Sequence, residues 1–183
     1  MAEATTAAPT QLRYRLIADM DKCTGCEACS LACSFAKYGV FSPSYARVRI
    51  LKFEESGVDA PVVCQQCEDA RCMEACPKKA IVRRPETGIL VIDEATCDGC
   101  GICAVACPYG AISVHPKSPS KKNKVMLKCD LCGGNPECVK WCETKALQLV
   151  PVEEQERIKQ ARENLIMAKK RFEIETRIPL WKY

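Results

Sequence analysis

Sixteen cysteines in a chain of 183 residues fall into four quartets with none left over. They are Cys23, Cys26, Cys29 and Cys33; Cys64, Cys67, Cys72 and Cys76; Cys97, Cys100, Cys103 and Cys107; and Cys129, Cys132, Cys138 and Cys142. The first and third quartets read C-x2-C-x2-C-x3-C, while the second and fourth widen the middle gap and keep the closing x3. This is the ligand spacing of [4Fe–4S] clusters, and the prolines Pro77 and Pro108 after two of the closing cysteines belong to the same pattern. The first three cysteines of a quartet lie on a tight loop able to wrap three irons of a cubane. The fourth follows about one helical turn later and points toward a different cluster. At four thiolates per cluster the chain has ligands for four.

Two other uses of cysteine compete with this reading. Zinc sites pair two doublets over a long gap and commonly recruit histidine, whereas these are quartets in a chain with one His. Disulfides need a bridge geometry that cysteines three apart in a tight loop rarely meet.

The remaining composition agrees with a fold held by metal. Hydrophobic residues make up 48% of the chain, but the cysteines are counted among them and aromatics are only 6%. A core this modest needs staples. The formal charge of +4 counts cysteines as neutral. An oxidised cluster with its four thiolates carries about −2, so four of them bring the loaded protein to about −4, which argues against a nucleic-acid partner. The basic excess then serves to compensate anionic clusters. Residues 1–11 lack the basic start and apolar run of a secretory signal, and no apolar run is long enough to span a membrane. A cytoplasmic protein without a direct membrane span is expected, with export on a partner's signal left open.

The elements that position the quartets repeat. After three closing cysteines the chain reads Cys76-Pro77-Lys78-Lys79-Ala80-Ile81, Cys107-Pro108-Tyr109-Gly110-Ala111-Ile112 and Cys142-Glu143-Thr144-Lys145-Ala146-Leu147, with a return strand expected at the aliphatic residue. Further strands are expected at 14–18, 48–53, 89–93 and 125–128, and a hairpin over 83–92 around Thr87-Gly88. Trp141 and Tyr109, next to cluster ligands, are expected to shield them from water. His115 is expected to be solvent-exposed, at the start of a basic loop with Lys117, Lys121, Lys122 and Lys124.

After Pro151 the chain is charged and free of cysteine. Ile158, Ala161, Leu165, Ala168 and Phe172 recur at spacings of three and four, which predicts an amphipathic helix over about 152–175. Its stripe packs on the chain's own core or, with Trp181 in the ending Ile178-Pro179-Leu180-Trp181-Lys182-Tyr183, grips a partner. Ile158, Leu165, Phe172 and Trp181 are the candidate interface, for a partner subunit or for self-association through the helix. On that reading, deleting 152–183 leaves cluster content intact and weakens assembly.

At these residues the chain resembles the four-cluster ferredoxin-like (polyferredoxin) iron–sulfur subunits of molybdenum, tungsten and hydrogenase enzymes, over roughly 12–150. The order of quartets and Lys128-Cys129-Asp130-Leu131-Cys132 carry that resemblance. The run Cys23-Thr24-Gly25-Cys26-Glu27-Ala28-Cys29-Ser30-Leu31-Ala32-Cys33-Ser34, followed by Gly39-Val40-Phe41-Ser42-Pro43, looks most like the electron-transfer subunit of tungsten-dependent aldehyde oxidoreductases. The resemblance implies an α+β fold of two nested ferredoxin-like units, each binding two [4Fe–4S] clusters, plus the C-terminal helix. After a flexible N-terminus (1–11), the first unit takes 12–59 and 117–150, the second is inserted as 60–116, and 151–183 is helix and tail. It also implies the ligand sets. One cluster takes Cys23, Cys26, Cys29 and Cys142; a second takes Cys129, Cys132, Cys138 and Cys33. A third takes Cys64, Cys67, Cys72 and Cys107, and the fourth takes Cys97, Cys100, Cys103 and Cys76. Ser34 and Glu143 stand where the family pattern has proline after the closing cysteine.

The expected function follows from what is present and absent. No Walker loop, dinucleotide fingerprint or nucleophile constellation is found, so no catalytic residue is expected and the chemistry belongs to the cofactor. By resemblance the chain takes electrons from a tungsten or molybdenum catalytic subunit and passes them to a flavin subunit or soluble acceptor. The conduit of a formate dehydrogenase, hydrogenase or carbon monoxide dehydrogenase is the nearest alternative. A redox sensor or cluster-storage protein is the alternative from another class, though no DNA-reading output element is found.

Overall fold

The computed structural model describes residues 13–115 and 125–180. Its strands are short, three to five residues each. In chain order the elements are β1 (Tyr14–Ala18), α1 (Ala28–Tyr38), β2 (Arg49–Phe53), β3 (Val58–Val62), α2 (Arg71–Glu74), β4 (Ile81–Arg83), β5 (Leu90–Ile92), α3 (Ile102–Ala106), β6 (Ile112–Val114), β7 (Met126–Lys128), α4 (Glu137–Lys140), β8 (Leu147–Pro151) and α5 (Gln155–Thr176). The strands form four antiparallel pairs, β1 with β8, β2 with β3, β4 with β5 and β6 with β7. Pairing Tyr14 with Pro151 and Ala18 with Leu147 brings the loops of quartets one and four to one end of a shared ladder. The β4–β5 hairpin, with Ile81 opposite Ile92, joins quartets two and three in the same way.

The return strands β4, β6 and β8 begin at Ile81, Ile112 and Leu147, as the repeat predicts. Each follows a residue in the left-handed region, Lys79 (φ 51), Gly110 (φ 66) and Lys145 (φ 56), which reverses the chain after the closing cysteine. β3 has no counterpart among the expected strands. It pairs with β2 and runs across the expected domain boundary at 59–60, so that boundary falls inside a strand.

The core is built around sulfur. Cys29, Cys33, Cys64, Cys103, Cys107 and Cys138 are buried in one continuous cluster with Leu16, Leu51, Val62, Leu90, Ile112 and Leu131. Helix α5 closes that cluster from outside. Leu165, Ala168 and Phe172 join it, while Ile158 and Ala161 pack with Ile17 and Val150. Arg171 lies over the Phe53 ring at 4.5 Å, and α5 lies against β1, β2 and β3.

This placement corrects the candidate interface. Ile158, Leu165 and Phe172 are at most 6% exposed within the chain, so their stripe is spent on the chain's own core and no partner can reach it. Trp181 lies outside the described residues, as do Lys117, Lys121, Lys122 and Lys124. His115 is half-buried rather than solvent-exposed, its ring edge-on to Tyr38 and Tyr45 at 5.2 and 5.1 Å. Among the described residues, no helix is long and apolar enough to cross a membrane.

Candidate metal centre

Every quartet bends its chain in the same place. The residue before the second cysteine has positive φ in all four, Gly25 (64), Gln66 (45), Gly99 (65) and Leu131 (52). That bend turns the loop back on itself so that its thiols face inward. At Gly25 a Cβ would also run into the Asp59 carboxylate, which would have to move. In quartet four the Asp130 carboxylate accepts the Cys132 N–H at 3.0 Å and pins the bend.

The sixteen thiols line four cavities. Cavity I is lined by Cys23, Cys26, Cys29 and Cys142. Cavity II is lined by Cys33, Cys129, Cys132 and Cys138, with Cys64 at its border. Cavity III is lined by Cys64, Cys67, Cys72 and Cys107, and cavity IV by Cys76, Cys97, Cys100 and Cys103. Each cavity thus combines the three leading cysteines of one quartet with the closing cysteine of another. Cavities I, II and IV are small, about 300, 350 and 300 Å3 with their open mouths included, whereas III, about 1120 Å3 on the same measure, opens as a groove beside α5.

The order of the cavities is visible in their mutual electrostatics. The Cys138 thiol is pushed up by burial first, then by Cys129 and Cys33 of its own cavity and by Cys29 of cavity I. Cys129 is pushed up to about 12 by burial and by Cys64, which reaches cavity III. Cys103 is likewise pushed up to about 12, by burial and then by Cys72 of cavity III. The backbone gives the same order: α1 carries Cys29 of cavity I and Cys33 of cavity II, Cys64 borders both II and III, and α3 carries Cys103 of cavity IV and ends at Cys107 of cavity III, so the row is I, II, III, IV. Only Cys26 in cavity I and Cys100 in cavity IV are exposed, so the exposed thiols sit at the two ends.

Thiols raised in this way hold their protons until a cationic core takes them, so binding releases protons and favours the folded chain. The backbone is arranged for sulfur that carries negative charge. Amide N–H groups donate to Cys33 from Arg47 (3.2 Å), to Cys76 from Ala80 (3.3 Å), to Cys107 from Ala111 (3.4 Å), to Cys129 from Leu131 (3.3 Å) and to Cys142 from Leu147 (3.4 Å). All four closing cysteines receive such a bond. Four thiols around an enclosed space, with N–H groups on the sulfurs, fit the donor set of a [4Fe–4S] cluster.

A family model described as a 4Fe-4S dicluster domain matches residues 58–152. The chain belongs to the 4Fe-4S dicluster family. The matched range contains quartets two, three and four. Among its relatives, the polyferredoxin-like subunit of aliphatic sulfonate oxidoreductase from Pyrococcus furiosus is 39% identical over 132 residues, 72% of this chain and 73% of that one. A subunit of the anaerobic dimethyl sulfoxide reductase of Escherichia coli is 35% identical over 162 residues, 78% of this chain and 75% of that one. A component of the active site complex BamBC of benzoyl coenzyme A reductase matches at a TM-score of 0.47 and 28% identity, over 78% of this chain and 80% of that one.

In this dicluster-family chain the structure assigns work to residues that spacing alone passed over. Gln66 is 1% exposed, donates to the Cys129 carbonyl at 2.7 Å and accepts the Leu90 N–H at 2.8 Å. Lys128, at the end of β7, donates to the same two residues, at the Leu90 carbonyl (2.7 Å) and the Cys129 carbonyl (3.1 Å). Together they tie the inner hairpin to quartet four. Lys128 stands in the Lys-Cys-Asp-Leu-Cys run, which was the one signal that could have found it. Asp130 in the same run is bound by Lys37 at 2.8 Å and Arg47 at 2.9 Å. Burial works to raise its carboxyl, yet those two cations hold it below the ordinary carboxylate range.

The two expected shields differ. Tyr109 is 9% exposed and lines cavity III, but Trp141 is 50% exposed and lines none of the four cavities. The C-terminal helix, by contrast, belongs to the site. Arg162 and Ile166 line cavity III, and Lys169 donates to the Cys107 carbonyl at 3.3 Å. Deleting it is therefore expected to disturb cavity III.

Proposed function

We propose that the chain holds four [4Fe–4S] clusters, one per cavity, as an electron wire within an oxidoreductase complex. The observation that carries this reading is the row of four cavities with thiols exposed only at its two ends. The ligand sets are Cys23, Cys26, Cys29 and Cys142; Cys33, Cys129, Cys132 and Cys138; Cys64, Cys67, Cys72 and Cys107; and Cys76, Cys97, Cys100 and Cys103. Quartets one and four make an outer ferredoxin-like unit and quartets two and three an inserted one.

When bound, such a cluster accepts and returns one electron. The chain's own residues do the rest. Cysteine thiols give up protons to become ligands, N–H groups settle the charge on the sulfurs, and the buried Tyr109 ring forms part of the wall of cavity III. Cys26 and Cys100 bring the row within reach of partners at opposite ends. The protein does no catalysis of its own in this reading. Cysteines used as metal ligands rather than as disulfides fit a reducing compartment, and we assign the chain to the cytoplasm.

For the partner, the run from Cys23 to Pro43 supports a tungsten or molybdenum subunit oxidising aldehydes to acids, with a flavin subunit or soluble acceptor at the other end. A second reading rests on the relatives named for sulfonate and sulfoxide enzymes, in which the catalytic subunit works on an organosulfur oxide.

The test is iron and acid-labile sulfide on anaerobically purified protein, with its visible spectrum and a pull-down of the native complex. About sixteen of each per chain, with absorption that bleaches on reduction, is the expected result. The co-purifying enzyme, assayed with an aldehyde and with a sulfonate, separates the two partners. A colourless protein holding zinc would overturn the reading. Cys97→Ser is expected to damage the cluster of cavity IV and stop throughput, and full throughput in that variant would sink the linear path.

A further inference from the structure

Resting on the four-cluster reading above, we propose that Lys128 is a redox-positioning residue shared by the two interior clusters. Its fixed positive charge raises the reduction potentials of the clusters in cavities II and III.

The burial of this lysine is unusual. Lys128 is only 4% exposed, and its ammonium donates to main-chain carbonyls, those of Leu90 and Cys129. A buried ammonium facing carbonyls is costly unless a negative charge lies close by. The side chain lines cavity III, and the carbonyl it holds belongs to a cysteine of cavity II. Two anionic clusters on either side would supply the missing charge, and an added electron on either would feel the cation most.

The charged groups around the other cavities sharpen the contrast. Among the described residues, Glu27 is the only charged one lining cavity I, and Lys78 and Asp98 offset each other at cavity IV. Cavity II has Lys37 and Arg47 against the single carboxylate of Asp130. Cavity III has Arg71, Lys128 and Arg162 against the carboxylates of Glu68 and Asp69, of which Glu68 is also paired with Arg15 at 2.8 Å, and the Arg162 Nε is buried without a hydrogen-bond partner. Burial by itself works the other way, since removing water from an anionic cluster disfavours a further electron. Positive charge is therefore what allows the interior of the row to take electrons from its exposed ends.

The electron comes from the catalytic partner in the complex, or from dithionite in the test, and enters one cluster at a time. The experiment is an EPR-monitored redox titration of the full, iron-loaded chain, with iron content measured on every sample. In Lys128→Met, two of the four midpoints are expected to fall, each by about tenfold in the reduction equilibrium constant, or about 59 mV for one electron. The other two stay in place. Full iron with unmoved midpoints, or an equal fall in all four, overturns the proposal.

If Lys128→Met does not hold its iron, Arg162 decides. It is only part-buried, and Arg162→Met is expected to lower one midpoint that Arg162→Lys restores. No fall, or a fall that Lys does not reverse, counts against positive charge as the cause. A wild-type chain with fewer than four clusters would refute the underlying reading instead, and iron content reports that independently of any midpoint.

Discussion

The two end cavities and the two interior ones use one backbone device with different side chains. Cavities I and IV take their leading cysteines from the evenly spaced quartets, where Gly25 and Gly99 make the left-handed bend and the next cysteine is exposed. Cavities II and III use the widened quartets, where Gln66 and Leu131 make the same bend and are at most 2% exposed. A left-handed non-glycine residue costs roughly 1–2 kcal/mol. What the interior gains is a packed side chain. Gln66 bridges to Leu90 and Cys129, and Leu131 fills the core, so the middle of the row is braced by side chains while each end exposes one cysteine.

The largest test of that comparison is removal of iron. Because buried thiols make up so much of the core, the stripped chain is expected to lose its cooperative thermal transition, followed by circular dichroism. An unchanged transition would mean that the apolar residues hold the interior by themselves. Next comes the helix that covers cavity III. Leu165→Ala, at a position 0% exposed, is expected to cost about 2–5 kcal/mol in denaturant melts. Met167→Ala, on the exposed face of the same helix, is expected to stay within about 0.5 kcal/mol.

Smaller effects separate the cavities further. Asp130→Asn leaves Lys37 and Arg47 without their carboxylate and is expected to destabilise by about 1–3 kcal/mol, since the pair is only partly buried. The bends themselves give the finest comparison. Gln66→Gly relieves the left-handed residue but drops two buried hydrogen bonds, for an expected net loss of about 1–2 kcal/mol. Gly25→Ala puts a methyl against Asp59 at φ 64, with an expected loss of about 1–3 kcal/mol. A stabilised Gln66→Gly variant would show that the interior bend is not braced by its side chain.

Much of this arrangement is local and was legible in the residues. Quartet spacing predicts the loops, the repeated Ala-aliphatic pairs predict β4, β6 and β8, and the spacing of Ile158 to Phe172 predicts α5. Each is written within a few residues, because a turn, a return strand or one helical face depends on near neighbours. The glycine bends at Gly25 and Gly99 could be read in the same way, but those at Gln66 and Leu131 could not, since neither residue advertises positive φ.

What only the tertiary structure decided lies between distant segments. The grouping of Cys29 with Cys142 came from the family resemblance and from no residue near either, and nothing in the sequence says that Cys64 borders two cavities. The stripe of α5 was open to either a partner or the core until β1, β2 and β3 were placed against it. Trp141 and Tyr109 both neighbour cluster cysteines in sequence, yet one is half exposed and the other buried. Lys128 became a buried cation only when β5 met quartet four. Spacing along the chain encodes which residues can chelate, whereas burial, order and charge balance are set by contacts that close long loops, and those depend on the whole fold.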